Sequence, residues 1–401
     1  MSVYLLATLD TKGREIEYVR DRLAAAGVET MIVDTGCLGE PAIAADVSRE
    51  EVFAAAGTTL AEMLEKNDRG SAVSKAAEGA TAVVTKALAD GKLSGVLAIG
   101  GGAGTSIGTA AMRAMPLGAP KVMVSTLASG DVRAFVGDKD VVMINSIVDI
   151  LGLNRISRTV LAEAAAAMAG MVKFAATAKD EEDKPLVCAT MFGVTTPCVE
   201  RAREVLEAAG YEVLVFHATG TGGQAMESLV REGLIAGVLD ITTTELADEL
   251  VGGVLSAGPK RLTAAAETGT PQVVSAGATD MVNFWAMETV PPQFRDRKLH
   301  KHNDNITLMR TTVEENEQIG ADLGSKVARS TGPAAVMLPL KGVSGIDREG
   351  QPFDDPAARA ALYRTIRASA GDVPVIGKDN HINDPEFAEA CARKLIQLLT
   401  V

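Results

Sequence analysis

Four glycines within five residues follow a short apolar run near residue 100. The run 96–99 reads Val-Leu-Ala-Ile and has the character of a buried strand, whereas residues 107–115 have helical character. A glycine loop between a strand and a helix presents backbone N–H groups and a helix N-terminus, and both bind anions. Glycine suits such a loop because it reaches positive φ and has no Cβ to block an oxyanion. The loop therefore predicts a site for a phosphate-bearing ligand.

The predicted phosphate loop comprises Gly100, Gly101, Gly102, Ala103, Gly104, Thr105 and Ser106. Its two hydroxyl residues would either donate hydrogen bonds to the ligand or cap the following helix. The loop differs from a P-loop, which continues into Gly-Lys-Ser/Thr, and the first strand of the chain lacks the glycine fingerprint of NAD-dependent enzymes. A tight strand-to-helix turn that binds no ligand is the structural alternative.

Polar residues also follow other predicted strands of the first half, at the strand ends where parallel sheets bind their ligands. Lys12 could neutralise a phosphate, and Asp10 could hold a hydroxyl group or a hydrated Mg²⁺. Asp34 ends the next strand, where a carboxylate often meets a ribose. Ordinary turn chemistry would also explain each of these residues. We expect the nucleotide-binding set to include Asp10, Thr11, Lys12, Gly13, Asp34, Thr126 and Ser129 besides the glycine loop.

Two segments of the second half are candidates for binding a substrate or another anion. Gly220, Thr221, Gly222 and Gly223 follow a strand and open a helix, which predicts a second cradle for an anion or carboxylate. Lys341 and Ser344 follow the apolar strand 336–340 and place a cation and a hydroxyl group at another strand end.

Thr242 and Glu245 have the spacing of a capping box in front of an apolar helix, so a structural role is favoured for both residues. Asp240, just before them, is a candidate acid.

Cysteine and histidine residues give no spacing typical of a metal site. The cysteines are Cys37, Cys188, Cys198 and Cys391, and their scatter without a C-x-x-C pair indicates a reducing, cytoplasmic environment. Cys198 lies at a predicted helix start that could stabilise a thiolate, but no paired histidine is identifiable. His300, His302 and His381 lie in the last third of the chain, where hydrogen-bonded loop anchors are favoured over a zinc site.

The two halves of the chain repeat one order of elements. Residues 3–8 and 28–35 read as strands on either side of a helix, and residues 186–190 and 211–219 repeat this pattern. Gly27 and Gly210 are equivalent helix stops.

Strands that alternate with helices predict right-handed βαβ units and mainly parallel sheets. The predicted fold is therefore α/β, with two similar doubly wound, Rossmann-like parallel-sheet domains over residues 1–180 and 185–401. A charged linker is expected at 178–184, and a helical insertion at 41–90 in the first domain.

Composition excludes several classes of protein. At 401 residues, with 47% hydrophobic and 23% charged residues, the chain can bury two or three domain cores. A net charge of -13 argues against a nucleic-acid partner. The longest apolar region, 160–178, carries two charges and reads as a packed helix rather than a membrane span, and the N-terminus does not read as a signal peptide. A small-molecule ligand in the cytoplasm is expected.

Several separated motifs occur along the chain in one order, at residues 7–13, 99–105, 219–223, 302–303 with 310–312, and 340–344. Together they resemble those of the uncharacterised family typified by the tomato mosaic virus resistance protein, over essentially the whole chain. Members of that family are labelled as having an ATP-binding domain, so the resemblance implies ATP or a related nucleotide at the first-domain loops, and a homodimer. Longer relatives append a barrel domain similar to phosphoenolpyruvate-utilising enzymes, which points to small carboxylates.

The sequence thus predicts a protein that binds ATP or a related nucleotide, with or without Mg²⁺, and that acts on a small carboxylate held between the domains. The alternative is a non-catalytic regulatory protein in which the nucleotide tunes an inter-domain or dimer surface. An enzyme would turn the nucleotide over in a manner that depends on Lys12 or Lys341, whereas a regulator would bind it without turnover.

Overall fold

The computed structural model describes residues 1–175 and 184–400 and contains two units, Met1–Glu181 and Glu182–Val401. The predicted linker lies, apart from Lys184, outside the described residues. Each unit is built around its own sheet.

The first unit is a five-stranded parallel sheet in the order β2-β1-β3-β4-β5. Its strands are β1 Ser2–Ala7, β2 Thr30–Asp34, β3 Leu93–Gly100, β4 Lys121–Ser125 and β5 Val142–Asn145. Its helices are α1 Leu9–Ala25, α2 Arg49–Ala55, α3 Leu60–Lys66, α4 Arg69–Ala89, α5 Gly102–Arg113, α6 Arg133–Val136 and α7 Arg155–Ala175. The predicted helical insertion corresponds to α2, α3 and α4.

Helices cover both faces of this sheet. Tyr4 and Leu6 of β1 pack with the cluster that includes α2, α4 and α5, whereas Val3 and Leu5 pack with α1 and α7 on the other face. A parallel sheet that is buried on both faces needs nearly continuous apolar strands, and β1 and β3 have this pattern.

The second unit contains a six-stranded parallel sheet in the order β14-β13-β9-β8-β6-β7. The strands of this unit are β6 Leu186–Met191, β7 Glu212–His217, β8 Gly237–Thr242, β9 Gln272–Gly277, β10 Met281–Phe284, β11 Leu299–Lys301, β12 Thr307–Arg310, β13 Ala334–Pro339 and β14 Val375–Lys378. The helices are α8 Thr196–Ala208, α9 Thr221–Arg231, α10 Glu245–Val251, α11 Ala264–Thr268, α12 Val313–Val327, α13 Pro356–Ser369 and α14 Pro385–Leu399, with short 3₁₀ turns at Gly193–Thr195, Met287–Thr289 and Pro292–Phe294.

The order β7-β6-β8-β9 reproduces the order β2-β1-β3-β4, so the predicted fold of two similar doubly wound α/β units is confirmed. Gly27 and Gly210 both have left-handed φ, at 75° and 93°, directly after α1 and α8. A small antiparallel sheet of β10, β12 and β11 was not predicted. No helix within the described ranges is long and apolar enough to cross a membrane.

Candidate functional site

A cavity of about 230 Å³ opens at the carboxyl edge of the first sheet. Segments that follow β1, β2 and β3 line it, together with the first turns of α4 and α5. The lining residues are Thr8, Asp10, Thr11, Lys12, Thr35, Cys37, Leu38, Arg69, Val73, Gly100, Gly101, Gly102, Ala103, Gly104 and Ile107. The structure therefore brings the glycine loop together with Asp10, Thr11 and Lys12.

Three helices begin at this cavity. Neither Thr8 before α1 nor Gly101 before α5 makes a side-chain cap, whereas Asp68 caps α4 by accepting a hydrogen bond from the Gly70 amide. A helix N-terminus carries a partial positive charge and N–H groups without intrahelical partners. The cavity is therefore electropositive at its helix ends, although the chain as a whole is acidic.

The hydroxyl groups of the glycine loop do not cap α5, because they form hydrogen bonds to other groups of the chain. Thr105 Oγ1 donates to the Gly101 carbonyl at 2.8 Å and contacts the Ser125 hydroxyl at 2.6 Å. Ser106 Oγ donates to the Gly102 carbonyl at 3.0 Å. Both residues lie inside the helix, where the side chain reaches the carbonyl four residues back. The predicted roles of these two hydroxyl groups are corrected accordingly.

Two cations and one carboxylate line the cavity. Lys12 is half-buried and Arg69 is exposed, and neither side chain has a hydrogen-bond or ion-pair partner within residues 1–175 and 184–400. Asp10 Oδ2 accepts a hydrogen bond from the Gly39 amide at 3.0 Å, whereas its Oδ1 is buried without a partner. Neither cation thus forms an ion pair within the described residues, although the Asp10 carboxylate lines the same cavity.

Arg69 was missed in the sequence because residues 41–90 read only as a helical insertion. One feature of the sequence does indicate the position of Arg69. Asp68 is a good N-cap residue, which puts Arg69 at the first position of α4. A helix that runs back to a parallel strand begins at the carboxyl edge of the sheet, so its first side chain belongs to the ligand edge.

Asp34 positions backbone rather than lining the cavity. Its Oδ1 accepts hydrogen bonds from the amides of Leu9 at 3.0 Å and Gly36 at 2.8 Å. Burial raises the pKa of Asp34, and the two amide hydrogen bonds oppose that rise. The carboxylate ties the start of α1 to the loop after β2, so both segments are held beside the cavity.

Three further predicted residues do not belong to the lining of the cavity. Gly13 is buried in α1, and a Cβ there would lie 3.0 Å from the Ala42 Cβ, so its role is close packing. A Cβ on Gly101 would lie 3.7 Å from Thr126 Oγ1, which places Thr126 next to the glycine loop. Ser129 is exposed in the turn after β4.

Cys37 is the cysteine that contacts the cavity. Its exposed fraction is 8%, whereas Cys188, Cys198 and Cys391 are 0% exposed. Burial and the nearby Asp10 raise the pKa of the Cys37 thiol. Burial also raises the pKa of Cys198, which disfavours the reactive thiolate considered from the sequence.

The predicted second cradle is occupied by a side chain of the protein itself. Glu245 Oε1 accepts hydrogen bonds from the amides of Gly220 at 2.7 Å and Gly223 at 3.1 Å. A Cβ on Gly223 would overlap this carboxylate, and a Cβ on Gly222 would overlap the His217 carbonyl oxygen. The prediction that Gly220, Thr221, Gly222 and Gly223 bind an external anion is therefore corrected, because an internal carboxylate takes that place.

Arg261 holds this carboxylate from the other side. Its guanidinium is 0% exposed and contacts Glu245 at 2.6 Å, Asp240 at 2.5 Å and Glu227 at 3.4 Å. Glu227 also accepts hydrogen bonds from the amides of residues 262, 263 and 264. Burial lowers the pKa of Arg261 and the carboxylates raise it, with the carboxylates prevailing. Asp240, a candidate acid in the sequence, is thus part of a buried ion cluster.

The predicted capping box of Thr242 and Glu245 is wrong. Thr242 is the last residue of β8, and its hydroxyl contacts Thr195 at 2.8 Å. The residue before α10 is Thr244, which makes no side-chain cap. The Glu245 side chain instead points to the Gly220 loop, where it accepts the Gly220 amide and pairs with the buried Arg261.

Lys341 and Ser344 do not form a substrate site. Ser344 is fully buried, and its hydroxyl donates to Asp280 Oδ2 at 2.8 Å and accepts from the amides of residues 346 and 347. Lys341 is 57% exposed and pairs with Asp379 at 3.0 Å. The prediction that these two residues bind an anion together is corrected, because the hydroxyl is inaccessible and the cation is already paired.

His381 anchors a loop, as the sequence favoured. Its Nδ1 accepts a hydrogen bond from the Asn383 amide at 3.1 Å, so Nε2 carries the proton and donates to the Ser344 carbonyl at 2.8 Å. Burial lowers the pKa of His381. Within the described ranges no group of three His, Cys, Asp or Glu side chains is arranged to hold a metal ion.

The buried Asp280 gives a testable pH dependence. Burial and the neighbouring Asp347 raise the pKa of Asp280 to about 7, from 3.8. The native state therefore keeps a proton that the unfolded chain loses near pH 4. This contribution to stability is complete below pH 3.8 and is lost as the pH rises through 7.

We expect Asp280→Asn to flatten the decline of the free energy of unfolding between pH 4 and pH 7, by up to about 1.4 kcal/mol per pH unit. Urea denaturation at four pH values measures it. Asp248, whose pKa burial raises to about 7 as well, leaves a residual decline in the variant. An unchanged slope in Asp280→Asn would contradict the assignment.

Comparison with known proteins gives matches over both units. The N-terminal domain of the Uncharacterised protein family (UPF0261) matches residues 1–177, and its C-terminal domain matches residues 184–399. A UPF0261 protein of Clostridium tetani is 50% identical over 399 residues, covering 99% of this chain and 98% of that protein. A UPF0261 protein of Rhizobium meliloti is 48% identical over 97% of this chain and 96% of its own length. The ToMV resistance protein Tm-1(GCR237) of Solanum lycopersicum is 44% identical over 82% of this chain, which spans 45% of that protein.

Proposed function

Since the chain belongs to the uncharacterised family UPF0261, whose description states no reaction, we propose from its own residues that the first unit binds ATP or a related nucleotide through the phosphate groups. The observation that carries the proposal is that Lys12 and Arg69, which have no ion-pair partner among the described residues, meet the uncapped N-termini of α1 and α5 in one cavity. Phosphate groups are the common biological anions that such N-termini bind.

The size of the cavity limits how much of a nucleotide it encloses. At about 230 Å³ it is smaller than the roughly 300–1,000 Å³ typical of sites that enclose a whole ligand. We therefore place the phosphates inside, against the glycine loop, and the ribose and base towards Leu38, which is 61% exposed at the cavity lining. Asp10 Oδ1, buried without a partner, is the oxygen we assign to a hydrated Mg²⁺ or a ribose hydroxyl group.

The second part of the proposal concerns a small carboxylate substrate. Glu245 fills the cradle of the second unit, so the substrate does not bind at Gly220–Gly223.

We also propose that the protein is a homodimer in the cytoplasm. All four cysteines are free and buried, which suits a reducing compartment. Light scattering of the purified chain tests the dimer.

Thermal unfolding in the presence of ATP, ADP, NAD or inorganic phosphate, with and without Mg²⁺, tests the proposed function. We expect ATP or ADP to raise the midpoint of the parent, because a ligand that binds only the native state stabilises it. Lys12→Met and Arg69→Met should each weaken binding by roughly 10- to 100-fold, since a hydrogen bond to a charged group is worth about 1.5–3 kcal/mol. Lys341→Met, which removes an exposed cation from the other unit, is the control.

Alkylation of Cys37 gives an independent readout of the same site. Bound nucleotide should slow the reaction of this thiol, which lines the cavity, without altering the three fully buried thiols. If neither the midpoint nor the alkylation rate responds to any of the four compounds, nucleotide binding at this cavity is excluded.

A further inference from the structure

The two units build a cradle from the loops of equivalent strands. In the first sheet the strands are β2, β1 and β3, and in the second sheet β7, β6 and β8 lie in the same order. Helix α5 follows β3, and α10 follows β8. The amino ends of α5 and α10 therefore occupy equivalent positions of the internal repeat.

The cradle of the second unit is neutralised from within. Glu245 is the first residue of α10, and its carboxylate accepts two glycine amides and pairs with Arg261. The guanidinium of Arg261 has three carboxylate partners and is completely buried. No space is left there for an external anion, because a single added Cβ on Gly223 would already overlap the carboxylate.

The cradle of the first unit has the opposite charge balance. Residues 94–99 of the first unit repeat residues 236–241 of the second, and this alignment places Ala103, the second residue of α5, opposite Glu245. No acidic side chain therefore stands where the second unit has Glu245. Lys12 and Arg69 line the cavity with no ion-pair partner in the described part of the chain. Arg261, the cation of the second cradle, is paired, whereas the two cations of the first cradle are unpaired as far as the structure describes the chain.

We propose that the first unit seats the anionic group of an external ligand beside Ala103, where the second unit seats Glu245, and that the second unit takes no external anion at Gly220–Gly223. The ligand class, a phosphate ester or a carboxylate, rests on the proposed function. Lys12 and Arg69 do for this ligand what Arg261 does for Glu245. The apolar side chains of Val73 and Ile107 also line the same cavity.

A built-in carboxylate tests this seat without a ligand. Ala103→Glu supplies the first unit with its own anion, and Ala103→Gln is the neutral variant of equal size. We expect the Glu variant to unfold about 2–4 °C above the Gln variant, and the difference to vanish when Lys12→Met and Arg69→Met are added. Ala357→Glu and Ala357→Gln, at the same second position of the capped helix α13, measure the general effect of an acid in a first helical turn.

Ligand titrations complete the experiment. Inorganic phosphate or ATP should raise the midpoint of the parent and of Ala103→Gln, but not of Ala103→Glu. If no nucleotide binds the parent and the gain of Ala103→Glu still depends on Lys12 and Arg69, the proposed function fails and the anion seat stands. The inference is overturned if that gain equals the gain at Ala357, if Ala103→Glu leaves ATP binding intact, or if the variant without Lys12 and Arg69 still binds phosphate at the parent's affinity.

Discussion

Arg261→Met is expected to lower the free energy of unfolding by about 3–5 kcal/mol, because it leaves buried carboxylates without their cation. Glu245 and Asp240 are both fully buried and contact the guanidinium at 2.6 Å and 2.5 Å. Methionine fills a similar volume, so the loss reports charge more than a cavity. Urea denaturation at neutral pH measures it.

The pH dependence separates this cause from poor packing. Without Arg261, Glu245 loses its cation, and burial already raises the pKa of Glu245, so this carboxyl should take up a proton more readily. The native state of the variant then binds more protons than the unfolded state, so its stability should recover as the pH falls towards 4.

Arg133→Met is the matched control, since Arg133 pairs with Asp131 in an ion pair whose side chains are 87% and 61% exposed. We expect it to change stability little. A small loss in Arg261→Met, or a loss independent of pH, would show that the buried cluster does not hold the second unit together.

The fold could be predicted from the sequence because apolar runs, which form its central strands, alternate with helices that each have one apolar face. β1 and β6 begin equivalent strand-helix-strand units, and Gly27 and Gly210 end the first helix of each. The antiparallel sheet of β10, β11 and β12 could not be predicted in this way. Its strands have only three or four residues, too few for an alternating pattern to stand out.

The candidate site was predicted in part. The strand-end rule brought the glycine loop and Lys12 together, because the ends of neighbouring parallel strands must meet. It could not distinguish the two glycine cradles. Whether the chain fills a cradle with its own side chain depends on a residue at another strand end, and nothing in the spacing of Gly220 and Glu245 shows that one binds the other. The local sequence pattern predicted a capping box of Thr242 and Glu245, but Glu245 forms an ion pair with the distant Arg261 instead.

Gly79→Ala is expected to destabilise the first unit by about 1–3 kcal/mol, although alanine is the better helix former. Gly79 lies in α4 where this helix meets α2, and a Cβ would overlap the Val52 carbonyl oxygen and lie 2.8 Å from the carbonyl carbon. The obstacle is backbone, so the two helices must move apart. Because α4 carries Arg69 to the cavity, we also expect weaker binding of any anion whose affinity depends on Arg69.

The test is whether Gly79→Ala lowers or raises stability, and a glycine of α7 provides the control. Gly170 lies in this helix with nothing within 4 Å of an added Cβ. Gly170→Ala should therefore stabilise the protein by about 0.5–1 kcal/mol through helix propensity alone. Thermal unfolding of both variants should give opposite shifts. If Gly79→Ala is stabilising as well, α2 and α4 do not cross closely, and their contact does not hold Arg69 at the cavity.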